Sequence, residues 1–127
     1  MKSNNASFQR SAAVVTMALA ALCQPSESQA AEEWLVVGRQ GLVQVVVVPV
    51  SQAADLAAYR SQIAKLCTPD TTCFINFFSN SSGAKAELPL PDAISAEAVA
   101  RFRRSTKNGV EVFQWSCRLG LGVGECF

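Results

Sequence analysis

The chain has no histidine, a single tyrosine and only two methionines among its 127 residues. Without imidazole the commonest general base and the commonest metal ligand are both missing, which excludes Ser-His-Asp chemistry and His-based zinc sites. No Gly-x-Ser-x-Gly run follows residue 30, so the nucleophile elbow of the α/β hydrolases is absent too. Asp55, Tyr59, Asp92 and Glu97 are acids or nucleophiles that form no recognisable dyad. A small hydrolase working through a carboxylate pair is therefore the weakest of the functional readings.

Charge of one sign is also missing. Eleven basic and ten acidic side chains nearly cancel, and a neutral chain lacks the basic footprint of a nucleic-acid binder. No nucleic-acid partner and no cofactor is expected. Long hydrophobic runs are confined to Ala12–Cys23 (AAVVTMALAALC), which is too short to span a bilayer comfortably.

That run has the layout of an export signal. Lys2 and Arg10 precede it, the polar QPSES follows it, and Ser28-Gln29-Ala30 places small residues where signal peptidase reads them. Residues 1–30 are read as a signal peptide and residues 31–127 as one small domain, periplasmic or secreted. Removing Lys2, Arg10 and Glu27 leaves nine basic and nine acidic side chains, so the mature chain is formally neutral. Cys23 at the end of the run offers a lipoprotein alternative, against which stands the bulky Leu22 before it.

What the chain does have is four cysteines in the mature part, Cys67, Cys73, Cys117 and Cys126. Cys-x5-Cys and Cys-x8-Cys miss the usual zinc spacings, so no metal is expected and structural disulfides are the better reading. Four cysteines allow three pairings. The local pairs Cys67–Cys73 and Cys117–Cys126 are favoured; loops this short contribute about 2–3 kcal/mol each by loop entropy. In a domain this small that is a material share of the stability.

Residues 42–50 (LVQVVVVPV) are apolar on both alternating faces and read as a central strand buried on both sides. Trp34–Val37 reads either as a short strand joined through Gly38–Gly41 or as the start of one long bent strand. Ser51 is a candidate N-cap for a helix to Leu66, with Leu56, Tyr59, Ile63 and Leu66 along one stripe. The turn CTPDTTC ends it, and CFINFF (73–78) is a strong strand.

A polar loop follows over residues 79–94, in which Pro89 and Pro91 would hold Leu88, Pro89, Leu90 and Pro91 as a stiff apolar segment. It is either a packing lid or an interaction loop. Asn80-Ser81-Ser82 has the N-glycosylation spacing, which matters only in a eukaryotic host. A second helix is expected over Ser95–Thr106, stopped by Asn108-Gly109, with Arg101, Arg103, Arg104 and Lys107 away from Ala98, Val99 and Phe102. Those four cations are an ordinary solvated face or an anion-binding patch. VEVFQWSC (110–117) is the last strand, with Phe113 and Trp115 on one side.

The expected fold is α/β, with α+β as the variant: a two-layer domain whose three- to four-stranded sheet carries two helices on one face. Two helices leave the other face of an all-apolar strand bare, so the Trp34 segment, the loop, the tail or a second copy must cover it. From CFINFFS, LPLPDAI, AVARFRRSTKNG and FQWSCR, over about residues 43–117, the chain resembles small exported bacterial proteins with a Cys-linked helix and strand. The resemblance implies compartment and fold, and no active site.

The functional expectation is a non-catalytic periplasmic or secreted module that binds a protein partner, or a second copy of itself, through an apolar sheet face or the 79–94 loop. The alternative is an envelope-anion binder, for polysaccharide, phosphate or lipid headgroups, using the basic segment 95–106. If the export reading holds, mass spectrometry of the secreted protein finds an N-terminus at Ala31; a lipid-modified Cys23 as the first residue is the opposing result.

Overall fold

The computed structural model describes residues 34–121 and 124–127. The signal segment and Cys23 lie outside the described residues. Five strands, β1 (Leu35–Gln40), β2 (Val43–Val48), β3 (Cys73–Ser79), β4 (Ala98–Arg104) and β5 (Glu111–Trp115), form one sheet in sequence order. Only β2 and β3 run parallel. Their crossover is α1 (Leu56–Leu66), and a four-residue helix, α2 (Asp92–Ser95), precedes β4. The sheet therefore has five strands, more than the three or four expected, and of the two α-helices among the described residues only α1 is long.

β1 and β2 are a hairpin with a tight turn at Gly41-Leu42, where Gly41 takes a φ of 62° that favours glycine. Gly38, expected in the turn, instead sits inside β1 at an irregularity in the register. The first helix also begins later than expected. Val50–Gln52 make a 3-10 turn, and Asp55, not Ser51, caps α1 by accepting the Ala58 N–H at 3.2 Å.

The expected helix over Ser95–Thr106 is a strand. Its residues 100–104 alternate, with Ala100, Phe102 and Arg104 on one face and Arg101 and Arg103 on the other, and that period of two fits a ladder. Pairing with Ile75 and Phe77 on one side and Phe113 and Trp115 on the other overrides the helical propensity of Ala and Arg. Asn108-Gly109 then belongs to the β4–β5 turn: Gly109 has a φ of 67°, and Asn108 Oδ1 accepts the Val110 N–H at 3.0 Å.

Register sorts the side chains onto two faces. Gln44, Val46, Val48, Cys73, Ile75, Phe77, Ala100, Phe102, Phe113 and Trp115 share the face under α1. Val45, Phe74, Asn76, Phe78, Arg101, Arg103 and Gln114 share the other. Tyr59 is the centre of the first face. It is fully buried, its hydroxyl donates to Ala53 O at 2.7 Å, and its ring meets Trp34, Phe77, Phe113 and Trp115 edge-on at 4.7, 5.0, 5.4 and 5.1 Å. Burial raises its phenol pKa, so the hydroxyl stays a donor throughout the physiological range.

Two disulfides close the elements at their ends. Cys67–Cys73 ties the end of α1 to the start of β3, and Cys117–Cys126 ties the tail to the segment after β5. Gln44 Nε2 reinforces the first junction by donating to Leu66 O at 3.4 Å. Among the described residues no helix is long and apolar enough to cross a membrane.

Tyr59→Phe removes one partly buried hydrogen bond and is expected to cost about 1 kcal/mol, while Tyr59→Ala also empties the aromatic centre and is expected to cost about 3–5 kcal/mol. Urea denaturation of the oxidised protein measures both; equal midpoints for the two variants would contradict the central role of the ring.

Candidate functional site

Five strands spaced about 4.8 Å apart make a sheet roughly 19 Å wide between its outer strands, and one helix is about 10 Å across. α1 therefore cannot roof the whole face. On the β1–β2 side Trp34 fills the gap, buried against Tyr59 and Phe77 with its indole N–H donating to Gln52 Oε1. On the β4–β5 side no second long helix is present among the described residues. What remains is a groove of about 800 Å³ between α1, β4, β5 and the tail.

The groove has an apolar wall and floor and a charged rim. Leu56 and Ile63 come from α1, and Phe102, Phe113 and Trp115 from the strands, with Phe113 and Trp115 in edge contact at 5.0 Å. Arg60 and Arg104 contribute positive charge, Glu111 and Glu125 negative charge. Arg104 stands opposite Glu111 on the ladder, but its guanidinium is held by Thr71 O at 2.8 Å and Thr68 O at 2.9 Å. Among the lining residues there is no hydroxyl, imidazole or free thiol, since Cys126 is in a disulfide. That set can hold an apolar group against a wall of aromatic rings; it lacks a nucleophile for acyl transfer.

Cys67, Cys73, Cys117 and Cys126 are all in disulfides, and no cluster of three potential ligands for a metal ion exists among the described residues. The loop residues Leu88, Pro89, Leu90 and Pro91 do not form a stiff extended display. The chain bends at Leu88-Pro89, across a cis peptide, and Leu88 turns inward. Its Cδ1 lies 2.8 Å from where a Cβ on Gly38 would stand, so Gly38 is bare because Leu88 packs on it. Gly38 pairs with Val45, which places Leu88 over the second face. Ile94 of α2 is fully buried as well. The loop acts as a lid over that face.

Glu97 anchors the lid. Its carboxylate accepts the Ser81 N–H at 2.9 Å and the Ser79 hydroxyl at 3.2 Å. Hydrogen bonding from Ser81 is the largest influence and holds its pKa below the ordinary carboxylate value, against partial desolvation. The loop also carries Ser82-Gly83-Ala84-Lys85, which has the Ser-x-x-Lys spacing. Ser82 Oγ donates to Asn80 Oδ1 at 2.8 Å and accepts the Ala84 N–H, while Lys85 is exposed and paired with Glu87 at 3.1 Å. Neither side chain activates the other, so the spacing makes no nucleophile here.

The four cations expected on one helix face are dispersed. Arg101 and Arg103 stand on the second face of β4, Arg104 is on the first face beside the groove, and Lys107 is in the β4–β5 turn. The groove itself was hidden in the sequence because Phe102 was placed on a helix. The available signal was the period-two spacing of Phe102 and Arg104 facing Phe113 and Glu111 across an Asn-Gly turn.

No family model, no curated protein and no solved structure matches the chain.

A folded-state pKa below the unfolded value stabilises fully above the ordinary carboxylate range and is lost as pH falls through the lowered pKa. Glu97→Gln should therefore lower the unfolding midpoint at neutral pH, and the deficit should vanish once acid has protonated Glu97 in the parent. Thermal melts from neutral pH into acid measure it; a deficit independent of pH would assign the effect to packing.

Proposed function

We propose that this protein is a non-catalytic binding module of an oxidising compartment, periplasmic or extracellular, that engages a partner polypeptide by taking its apolar side chains into the groove between α1 and β5. The observation that carries this reading is the open aromatic floor of Phe102, Phe113 and Trp115 in a groove of about 800 Å³. Two features favour a polypeptide. The rim balances two cations with two anions, so it suits neither a fatty-acid anion nor nucleic acid. The floor is rich in the aromatic residues that dominate protein-recognition sites. The two disulfides fit an oxidising compartment, and the signal-like segment 1–30 supports export.

A second copy of the chain is a separate association to test, since it has an exposed apolar edge of its own. Exposed apolar side chains at Leu35, Val36 and Leu42 belong to the β1–β2 hairpin, and β1 is the outer strand at the far side of the sheet from the groove. Self-association through that edge would leave the groove unchanged.

Selection of displayed linear peptides on the oxidised protein is expected to enrich apolar sequences whose binding changes Trp115 fluorescence. Leu56→Gln and Trp115→Phe should weaken them at least tenfold. Peptides indifferent to both variants would remove the groove reading, and a concentration-dependent dimer by sedimentation that blocks peptide binding would assign the groove to a second copy.

A further inference from the structure

The second face of the sheet is not uniformly apolar. Beyond the part covered by Leu88, β4 presents Arg101 and Arg103 two residues apart on the same face, Arg101 between Asn76 of β3 and Gln114 of β5 and Arg103 between Phe74 and Val112. The only ion pair among the described residues is Lys85–Glu87, so no described carboxylate lies within 4 Å of either guanidinium. Two neighbouring cations on a formally neutral domain, with no described carboxylate within ion-pair distance, call for an explanation.

Both guanidiniums are fixed in place. Arg101 Nε donates to Gln114 Oε1 at 2.8 Å, and its guanidinium carbon lies 4.5 Å from the centroid of the Phe127 ring. Arg103 donates through Nη1 to Ile75 O at 3.0 Å and Phe102 O at 2.9 Å, and through Nη2 to Asn76 Oδ1 at 2.7 Å. Each guanidinium carries five N–H donors. Arg101 commits only Nε, and Arg103 keeps Nε–H and one Nη2–H; these remaining donors meet no protein acceptor among the described residues. Burial, and then the charge of Arg101, push the Arg103 pKa down, so the pair sits together at a cost that a bound negative charge would offset.

Asn76, Arg101, Arg103 and Phe127 border one side of a depression of about 110 Å³ whose remaining lining is apolar, from Phe77, Phe78, Ala98 and Ala100. One water occupies about 30 Å³ of liquid, so the depression has room for one small oxyanion and none for a folded chain or an oligosaccharide. Guanidinium is the side chain whose planar fork matches phosphate oxygens two at a time. Because packing and hydrogen bonds already hold both forks, little side-chain entropy remains to be lost on binding.

We propose that Arg101 and Arg103, with Asn76 and the Phe127 ring beside them, form a binding site for a single phosphate-type oxyanion on the sheet face opposite the groove. It does not depend on the groove. Its ligand is a phosphate group, whether free or carried by a lipid headgroup, and the site recognises the oxyanion itself.

Inorganic phosphate titrated into the oxidised protein, followed through arginine Nε–H resonances, is expected to give saturable shifts at Arg101 and Arg103. Arg101→Gln should weaken binding at least tenfold, and Arg60→Gln, on the groove side, should leave it unchanged. Arg101 is the residue to vary because Arg103 also satisfies two backbone carbonyls, and an unchanged thermal midpoint checks that Arg101→Gln folds. Phosphatidylglycerol vesicles form the second arm. Co-sedimentation that needs Arg101 identifies a lipid source, and phosphate binding without vesicle binding identifies a free anion. The site is refuted if Arg101→Gln responds to both probes as the parent does, or if phosphate shifts Arg60 as strongly as Arg101.

Discussion

The seating of Tyr59 is the constraint on which the rest of the structure depends. Its ring lies where α1, the Trp34 segment, β3 and β5 converge, in edge-on contact with four other aromatic rings, and its hydroxyl satisfies a carbonyl in the connection leading into the helix. A fully buried phenol must keep that hydrogen bond, because losing it would leave a polar group stranded in an apolar centre. The bond to Ala53 O therefore fixes the entry into α1, and the ring fixes the position of the helix over the sheet. The Cys67–Cys73 bridge fixes the other end of the same helix.

Once one helix is pinned there, the mismatch in width between helix and sheet decides where the surface stays concave. Trp34 fills one flank. The other flank keeps its aromatic residues, and the tail closes only part of it under the Cys117–Cys126 bridge. The groove is thus a by-product of building five strands with one long crossover helix, and a chain with two such helices would have buried Phe113 and Trp115. On the opposite face the same economy applies with different material: a loop, a four-residue helix and a terminal ring do the covering, and the arginine pair of β4 stays in the uncovered part.

Much of this was legible in the residues. The double-sided apolar run gave β2 and CFINFF gave β3, because both are short and rich in β-branched or aromatic residues, and the three-four spacing of Leu56-Tyr59-Ile63-Leu66 gave α1. The segment 98–104 was not legible in the same way. Ala and Arg favour helix, the apolar positions Ala98, Val99 and Phe102 also fit a helical arc, and over seven residues the two periods are hard to separate. The grouping of the four cations changes with it: Arg101 and Arg103 share one sheet face, while Arg104 lies on the other and Lys107 in the turn. For Leu88 the residues leave a packing lid and an interaction loop both open, because the direction of its side chain depends on the bare backbone of Gly38, fifty residues earlier in the chain.

Composition and local order by themselves determined the near-zero net charge, the lack of histidine, the four cysteines downstream of residue 30 and the elements whose pattern is unambiguous. These are properties of the chain read a few residues at a time. Tertiary structure alone decided that residues 98–104 are a strand, that the 79–94 loop folds inward, and that an aromatic groove and an arginine pair lie on opposite faces. The reason is physical: each of these outcomes depends on partners distant in sequence, through ladder pairing, close approach at a glycine, or the width of a sheet relative to one helix.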